Sequence, residues 1–411
     1  MRDAPDTTLF AAPGNPGTAR LATNLPIPVA ALDQLVEAAG AHQIDLVIVG
    51  PEAPLAAGLA DRLRAAGVAV FGPSAAAARL EASKAFAKDV MRRAGVPTAT
   101  SATFTQIERA LAHISAHAEP LVVKASGLAG GKGAVVCATR AEAAAAARAM
   151  LAEGRFGEAG REVVVEEFLD GEELSVLALT DGERAVLLPP AQDHKRLGEG
   201  DTGPNTGGMG AYCPVSIATP ALLGRVRREV IVPTLRAMAR AATPYSGVLY
   251  AGLMIRPDGT PAVIEFNCRF GDPETQAVVP VLPPGILHAM GAIANQVWRP
   301  EHDVIGPKGA AVTVVLASEG YPDRPATGAP VTLPSATELG SDVVVFQAGT
   351  TTDPDGTLRA SGGRVLNVTG LGPDVAGAAR AALAACGRIS FAGKVYRRDI
   401  GRRELARAGA A

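Results

Sequence analysis

The chain has 411 residues, 48% hydrophobic, 19% charged and 4% aromatic, with a formal net charge of −2; that is length for about two to four compact units, no global field for DNA, RNA or an anionic membrane, and too few aromatics for a single-strand stacking platform. Cys137, Cys213, Cys268 and Cys386 show no C-x-x-C spacing, which speaks against a zinc site or a disulfide framework and fits a reducing cytoplasm. The opening MRDAPDTTLF lacks the features of a signal peptide, and no charge-free apolar run is long enough to span a bilayer.

From Thr7 to about Pro73, short apolar strands alternate with helical stretches, the pattern of parallel α/β units. IDLVIVG (Ile44 to Gly50) and GVAVFGP (Gly67 to Pro73) read as strands, and APLAAGLADRLRAAG between them as an amphipathic helix. Ligands of open parallel sheets sit beyond the carboxyl ends of the strands, which makes Glu52 a candidate contact; a solvent-facing turn residue is the plainer reading. SKAFAKDVMRRA (Ser83 to Ala94) reads as a helix capped by Ser83 and ended by Gly-Val-Pro.

In PLVVKASGLAGGKGAVV (Pro120 to Val136), a strand holding Lys124 runs into a loop with Gly127, Gly130, Gly131, Lys132 and Gly133, then into a second strand. Glycines let backbone amides approach a phosphate, and lysines supply countercharge. The loop is not a Walker loop, which needs Gly-Lys-Ser/Thr entering a helix, and a plain tight turn is the alternative. Lys124 is the more telling residue, because a lysine within VVKA is costly to bury unless an anion meets it. VVVEEFLDGEELSVLAL (Val163 to Leu179) gives two strands joined at Asp170-Gly171, with Glu166, Glu167, Glu172 and Glu173 either solvated or forming a hinge that reads adenine.

The long Gly-rich segment AQDHKRLGEGDTGPNTGGMGAYCP (Ala191 to Pro214) reads as a mobile lid with Asp193, His194, Lys195 and Arg196 at one end; for His194 a surface position is expected over a general base. Helical stretches follow at Pro220 to Arg240 and Pro284 to Trp298, separated by GVLYAGLMI, a hairpin turn at Asp258-Gly259, and IEFNCRFGDPETQ (Ile264 to Gln276). Alternation puts Glu265, Asn267 and Arg269 on one face, and Ile264, Phe266, Cys268 and Phe270 on the other. A solvated sheet face explains such a row in general. Glu and Asn oxygens, however, suit magnesium or manganese, and an adjacent Arg suits a phosphoryl group in flight. Three further strands near GAAVTVVLAS, DVVVFQAGT and GGRVLNVTG suggest a terminal sheet, Gly363 and Arg364 could hold a phosphate, and KVYRRDIGRRELARAG reads as a solvated helix or tail.

A lysine helix, a lysine strand with its Gly-rich hairpin, an acidic hinge and a Glu-x-Asn-x-Arg strand, in that order, resemble the ATP-grasp enzymes. FGPSAAAARLEASKAFAKD, KASGLAGGKG, EEFLDGEE, QDHKR, DTGPNTGGMGAY, YAGLMI and IEFNCRFGDPETQ resemble, within them, the phosphoribosylamine-glycine ligases. The resemblance implies an N-terminal parallel α/β domain over 1–80, an ATP-grasp domain over 81–299 with 97–165 as its smaller lid subdomain, and a small C-terminal α+β domain over 300–411. It implies ATP as co-substrate with Mg2+ or Mn2+, and glycine and 5-phosphoribosylamine as substrates, in a cytoplasmic monomer without nucleic-acid or membrane partners. Lys84 and Lys124 would hold the α- and β-phosphates under the Gly127–Gly133 loop. Backbone at Glu166, Glu167, Phe168 and Leu169 would read adenine, and Glu173 would take the ribose. Glu265 and Asn267 would bind metal, and Arg269, with Lys124, would stabilise phosphoryl transfer. Glu52, Asp193, Lys195, Arg196, Gly363 and Arg364 are candidates for substrate contact.

Two departures stand out. Ser126 replaces the family's usual Asp, with a modest effect expected. The family's first apolar strand and Gly-Gly-Arg-Glu loop are missing, which would leave neighbouring strands unpaired; Met1 is then expected to be an internal or misassigned start of a longer working protein. Two rivals are an ATP-grasp ligase using another acid and a nucleotide-binding pseudoenzyme.

Overall fold

The computed structural model describes residues 6–409. At the N-terminal end, Phe10–Ala11 pairs in parallel with Thr23–Asn24, and Leu46–Ile48 with Ala69–Phe71. Among the described residues no strand joins the two pairs. The stretch between Leu46–Ile48 and Ala69–Phe71 was expected to be one helix. It forms two, Glu52–Ala56 and Leu59–Ala65, because Gly58 takes φ 88° and breaks the ladder. Lys84–Ala94 is the expected helix: the Ser83 side chain accepts from Phe86 N at 3.2 Å, and Gly95 closes it at φ 66°.

Two four-stranded antiparallel sheets form the body around the cavity. One runs in the order Ser101–Phe104, Val163–Glu167, Leu121–Ala125, Ala134–Cys137; the other Ala185–Leu187, Glu172–Thr180, Gly247–Ile255, Pro261–Asn267. Helices Ile107–Ala116 and Arg140–Leu151 cover the first, burying Ile114, Ala143, Ala147 and Met150 against Val123 and Val165. Consecutive strands Val163–Glu167 and Glu172–Thr180 belong to different sheets, so the turn at Asp170-Gly171 links the two. Gly171 is required there, since φ is 149° and a Cβ would lie 2.3 Å from the Ile255 carbonyl oxygen.

A third, six-stranded sheet contains the three C-terminal strands expected, Ala310–Ser318, Arg364–Gly372 and Val343–Gln347, with Lys394–Val395 at one margin. It also takes in Gln192–Asp193 and Gly210–Cys213. The two ends of the expected lid, Ala191 to Pro214, are therefore fixed in this sheet, while Arg196–Gly198 and Thr202–Asn205 between them form a separate hairpin with Thr202–Asn205 exposed. The segment's final strand is buried along its length and pairs with Ala311–Val314, about a hundred positions later in the sequence, a partnership that local pattern cannot signal.

The C-terminal stretch is solvated along its helix Arg402–Arg407 but not throughout, since Arg397, Ile400 and Gly401 are buried. Arg397, only 1% exposed, places Nη1 2.9 Å from Asp201 Oδ1 and Nη2 2.7 Å from Asp399 Oδ2, and donates to the Arg196 carbonyl at 3.0 Å. Arg402 and Arg403 add 2.7 and 3.2 Å contacts to Asp201, and Arg407 pairs with Glu172. His194 is 4% exposed rather than at the surface. Its Nε2 accepts from Gly401 N at 3.3 Å, which places the proton on Nδ1. Burial, aided by the Arg397 charge, lowers its pKa to about 4. Like charges on one short segment suggested a solvated end; Asp399 within the segment and Asp201, about two hundred positions away, neutralise them.

Two outcomes follow for this clamp. Arg397→Ala removes a buried guanidinium from the half-buried Asp201 and Asp399, of which Asp201 keeps Arg402 and Arg403, and lowers unfolding stability by about 2 kcal/mol, measured by urea titration. The folded chain keeps His194 neutral down to about pH 4, whereas the unfolded chain takes the proton from about pH 6.5. Stability from this group is thus complete above about 6.5 and drains away as pH falls towards 4. His194→Gln should flatten that part of the stability profile.

Candidate active site

One cavity of about 710 Å³ lies between the two four-stranded sheets and reaches the N-terminal and C-terminal parts of the chain. Its first wall is cationic. Lys124, 4% exposed, places Nζ 2.9 Å from Glu166 Oε2, and Lys88 Nζ lies 3.2 Å from Glu166 Oε1. One carboxylate therefore serves two buried ammonium groups, leaving a net positive charge. Lys84, at the start of its helix, donates to the Gly127 carbonyl at 3.2 Å. Burial lowers the pKa of both Lys84 and Lys88, offset by Glu265 at the first and Glu166 at the second. Ser126 Oγ accepts from Ala85 N at 3.2 Å, so it still meets the start of the helix in the place where an Asp was expected.

The opposite wall is Pro261–Asn267, paired antiparallel with Gly247–Ile255 as expected. Strict alternation fails at one point. Gly252 pairs with Glu265 but Leu253 with Val263, so Ile264 is an extra residue in a bulge. Ile264, Phe266 and Phe270, expected on the far face, line the cavity with Glu265, Asn267 and Arg269. The bulged Ile264 carbonyl accepts from Lys124 Nζ at 3.0 Å, joining the two walls.

Arg269 is held on every side. Nε lies 3.2 Å from Glu52 Oε2, Nη2 lies 3.4 Å from Glu81 Oε1, and Nη1 donates to the Phe270 carbonyl at 3.2 Å. Beyond it Lys195 Nζ meets Glu173 Oε2 at 2.8 Å. Burial alone would lower the Lys195 pKa, but Glu173, Asp193 and Glu265 outweigh it and keep the ammonium charged. The Asp193 carboxyl is pushed well up, by burial first and then by Glu274, Glu173 and Glu265. Glu274, 3% exposed, accepts from Tyr250 OH at 2.7 Å and Ser175 Oγ at 3.2 Å. Arg364 enters from the C-terminal sheet, donating to the Gly207 carbonyl at 2.7 Å and the Asp272 carbonyl at 3.0 Å.

The cavity thus gathers Glu52, Lys84, Lys124, Gly130, Gly131, Gly133, Glu166, Glu167, Phe168, Leu169, Glu173, Asp193, Lys195, Glu265, Asn267, Arg269 and Arg364. Lys132, Arg196 and Gly363 are not among its lining. Lys132 instead donates to the Pro322 carbonyl at 3.0 Å, Arg196 to the Gly203 carbonyl at 2.8 Å, and Gly363 packs on Tyr321, whose ring lies 2.4 Å from where a Cβ would stand. Among the charged lining residues, Lys88 and Glu81 were missed, while Asp272 and Glu274 stand out in the sequence only as an acidic turn. Lys88 follows Lys84 by four positions, one helical turn, and that spacing was available to find it. The partners of Glu81 and Glu274 lie far along the sequence.

Glu265 and Asn267 fit a divalent cation. Burial works to raise the Glu265 pKa, but Lys195, Lys124, Lys84 and Arg269 together bring it below the usual carboxylate value, so it is ionised at neutral pH. No cluster of three or more His, Cys, Asp or Glu among the described residues could hold a metal alone. The donor set is that of a cation completed by phosphate oxygens and water rather than of a closed structural site.

The phosphoribosylglycinamide synthetase N domain matches over residues 2–81, the ATP-grasp (A) domain over 82–275 and the C domain over 311–403. A phosphoribosylamine–glycine ligase of Ralstonia nicotianae is 48% identical over 401 residues, covering 97% of this chain and 94% of the relative. One of Caulobacter vibrioides is 49% identical over 408 residues, covering 97% and 92%. The crystal structure of the Thermotoga maritima phosphoribosylamine–glycine ligase superposes with a TM-score of 0.83 at 35% identity, over 96% of this chain and 94% of that one. The biotin carboxylase domain of Hydrogenobacter thermophilus 2-oxoglutarate carboxylase, solved with MgADP, shares the fold at TM-score 0.71 and 18% identity, over 96% and 88%. The chain belongs to the phosphoribosylglycinamide synthetase family, the phosphoribosylamine–glycine ligases of the ATP-grasp fold.

Proposed function

We propose that this enzyme joins glycine to 5-phosphoribosylamine at the expense of ATP, by way of glycyl phosphate, in de novo purine biosynthesis. The observation that carries the reading is the meeting of Lys84 and Lys124 with Glu265, Asn267 and Arg269 across one cavity. Family membership over the whole chain supports the choice of substrates.

A glycine carboxylate oxygen attacks the γ-phosphorus, and ADP leaves. The phosphoribosylamine nitrogen then attacks the acyl carbon, phosphate leaves, and the nitrogen loses a proton to give the amide. Neither step calls for a covalent nucleophile from the protein. Positioning and charge neutralisation suffice. Lys84 and Lys124 hold the α- and β-phosphates. The Gly127–Gly133 loop covers the triphosphate, with Gly130 and Gly131 at φ 56° and 76° turning it tightly. The strand ladder ends at Glu167, so backbone at Phe168 and Leu169 is left to meet the adenine edge, and Glu173 takes the ribose. Glu265 and Asn267 would hold Mg2+ or Mn2+, which would supply charge neutralisation for the phosphates. Arg269 faces the transferring phosphoryl group. Glu52 and Arg364 flank the sugar phosphate, where Glu52 suits hydroxyls and the Arg364 guanidinium suits the phosphate. No single helix among the described residues is long and apolar enough to cross a membrane, and a cytoplasmic monomer is the proposed working form.

Phosphate release with ATP and phosphoribosylamine should require glycine and ignore bicarbonate and formate; turnover on either of those acids would assign the site to another ligase. Glu265→Ala should cut kcat roughly 100-fold or more and raise the metal concentration needed for half-maximal rate, whereas undiminished turnover would leave only a nucleotide-binding role. Arg364→Ala should raise the KM for phosphoribosylamine by roughly 10-fold with little change for ATP.

A further inference from the structure

Glu81 occupies a place that general stability would not choose for a carboxylate. It lies in the last turn of the helix Ala75–Ala82, at the negative end of the dipole, and its side chain is 8% exposed. Glu52 and Glu265 add like charge nearby, and burial pushes its carboxyl up to about 7 against the pull of Arg269 and the Cys268 amide.

What the placement achieves lies on the facing strand. The last paired residue of Pro261–Asn267 is Asn267, opposite Tyr250, so Cys268 begins the chain beyond the ladder. Glu81 Oε2 accepts from Cys268 N at 2.7 Å, standing in for the strand partner that is missing there. Its other oxygen lies 3.4 Å from Arg269 Nη2. One carboxylate therefore fixes both the main chain entering Arg269 and the guanidinium leaving it. Glu52 at Nε and the Phe270 carbonyl at Nη1 complete the hold on the head group.

We propose that Glu81 is the positioning residue for Arg269: it fixes the guanidinium and the backbone before it, so that the arginine meets the transferring phosphoryl group already oriented, without Glu81 itself touching the nucleotide. The proposal rests on the role given to Arg269 in the ligase reading. An arginine free to swing must be ordered during each turnover, and a displacement of about 1 Å at such a group costs roughly 100-fold in rate. The effect belongs to kcat rather than to nucleotide affinity, because the lysines and the hinge hold ATP independently.

Glu81→Gln keeps an oxygen for the Cys268 amide but removes the charge facing Arg269. Steady-state kinetics on the full chain should show kcat reduced roughly 10-fold or more, the KM for ATP within about twofold, and a melting temperature near that of the wild type. In an Arg269→Lys background the same change should cost little further, because the two residues act as one unit. The Arg269 Nε–H resonance, assigned by its loss in Arg269→Lys, should shift or broaden in Glu81→Gln with no substrate present. An unchanged kcat and resonance in Glu81→Gln, or losses that multiply fully in the double variant, would overturn the proposal. Failure of the wild type to release phosphate with glycine would instead overturn the ligase reading, and the resonance would still decide whether Glu81 positions Arg269.

Discussion

Lys124 is the residue on which the site depends. Its ammonium is buried, so it must be paired where it stands. One partner is Glu166 in the neighbouring strand of its own sheet, and the other is the Ile264 carbonyl of the opposite sheet. Pro261–Asn267 is the edge strand of its sheet, so carbonyls on its outer side have no ladder partner, and the one at the bulged residue Ile264 accepts from Lys124. That contact joins the two walls, with Glu265 and Asn267 lining the space beside it.

Charge is arranged around that link in a gradient. Lys84, Lys88 and Lys124 share Glu166 and Glu265, so the first wall keeps positive charge for phosphates. In the far corner Glu173 pairs with Lys195, and burial with the neighbouring carboxylates favours the neutral form of Asp193. Arg269 lies between, anchored by carboxylates from two helices that precede the first sheet in the chain. The N-terminal helices therefore contribute to the site through ionic contacts as well as by packing, and the C-terminal sheet contributes Arg364 through its contacts with Gly207 and Asp272.

Features governed by neighbours in the sequence were legible in it. Ser83 and Gly95 bracket the lysine helix, Asp258-Gly259 turns the hairpin, and period-two patterning places Glu265 and Asn267 together. Features governed by distant partners were not. Alternation alone could not reveal the bulge at Ile264, because the bulge is a relation between two strands. The burial of Gly210–Cys213 depends on the strand Ala310–Ser318, and the burial of Arg397 on Asp201, so parts of stretches that read as mobile or solvated are interior. Glu81 ends an alanine-rich helix with nothing local to distinguish it, and its meaning comes from the amide of Cys268, 187 positions away. Lys88 is the exception, since its spacing from Lys84 placed it on the same helix face.

The most direct measurement is a crystal structure of the full chain with magnesium and a non-hydrolysable ATP analogue. The account predicts a triphosphate between Lys84 and Lys124 on one side and Glu265 and Asn267 on the other, with one or more cations bridging the latter pair to phosphate oxygens and the Arg269 guanidinium facing the γ-phosphate. A nucleotide bound outside this cavity, or one whose phosphates leave Lys124 still bonded to Glu166 and Ile264 alone, would contradict it.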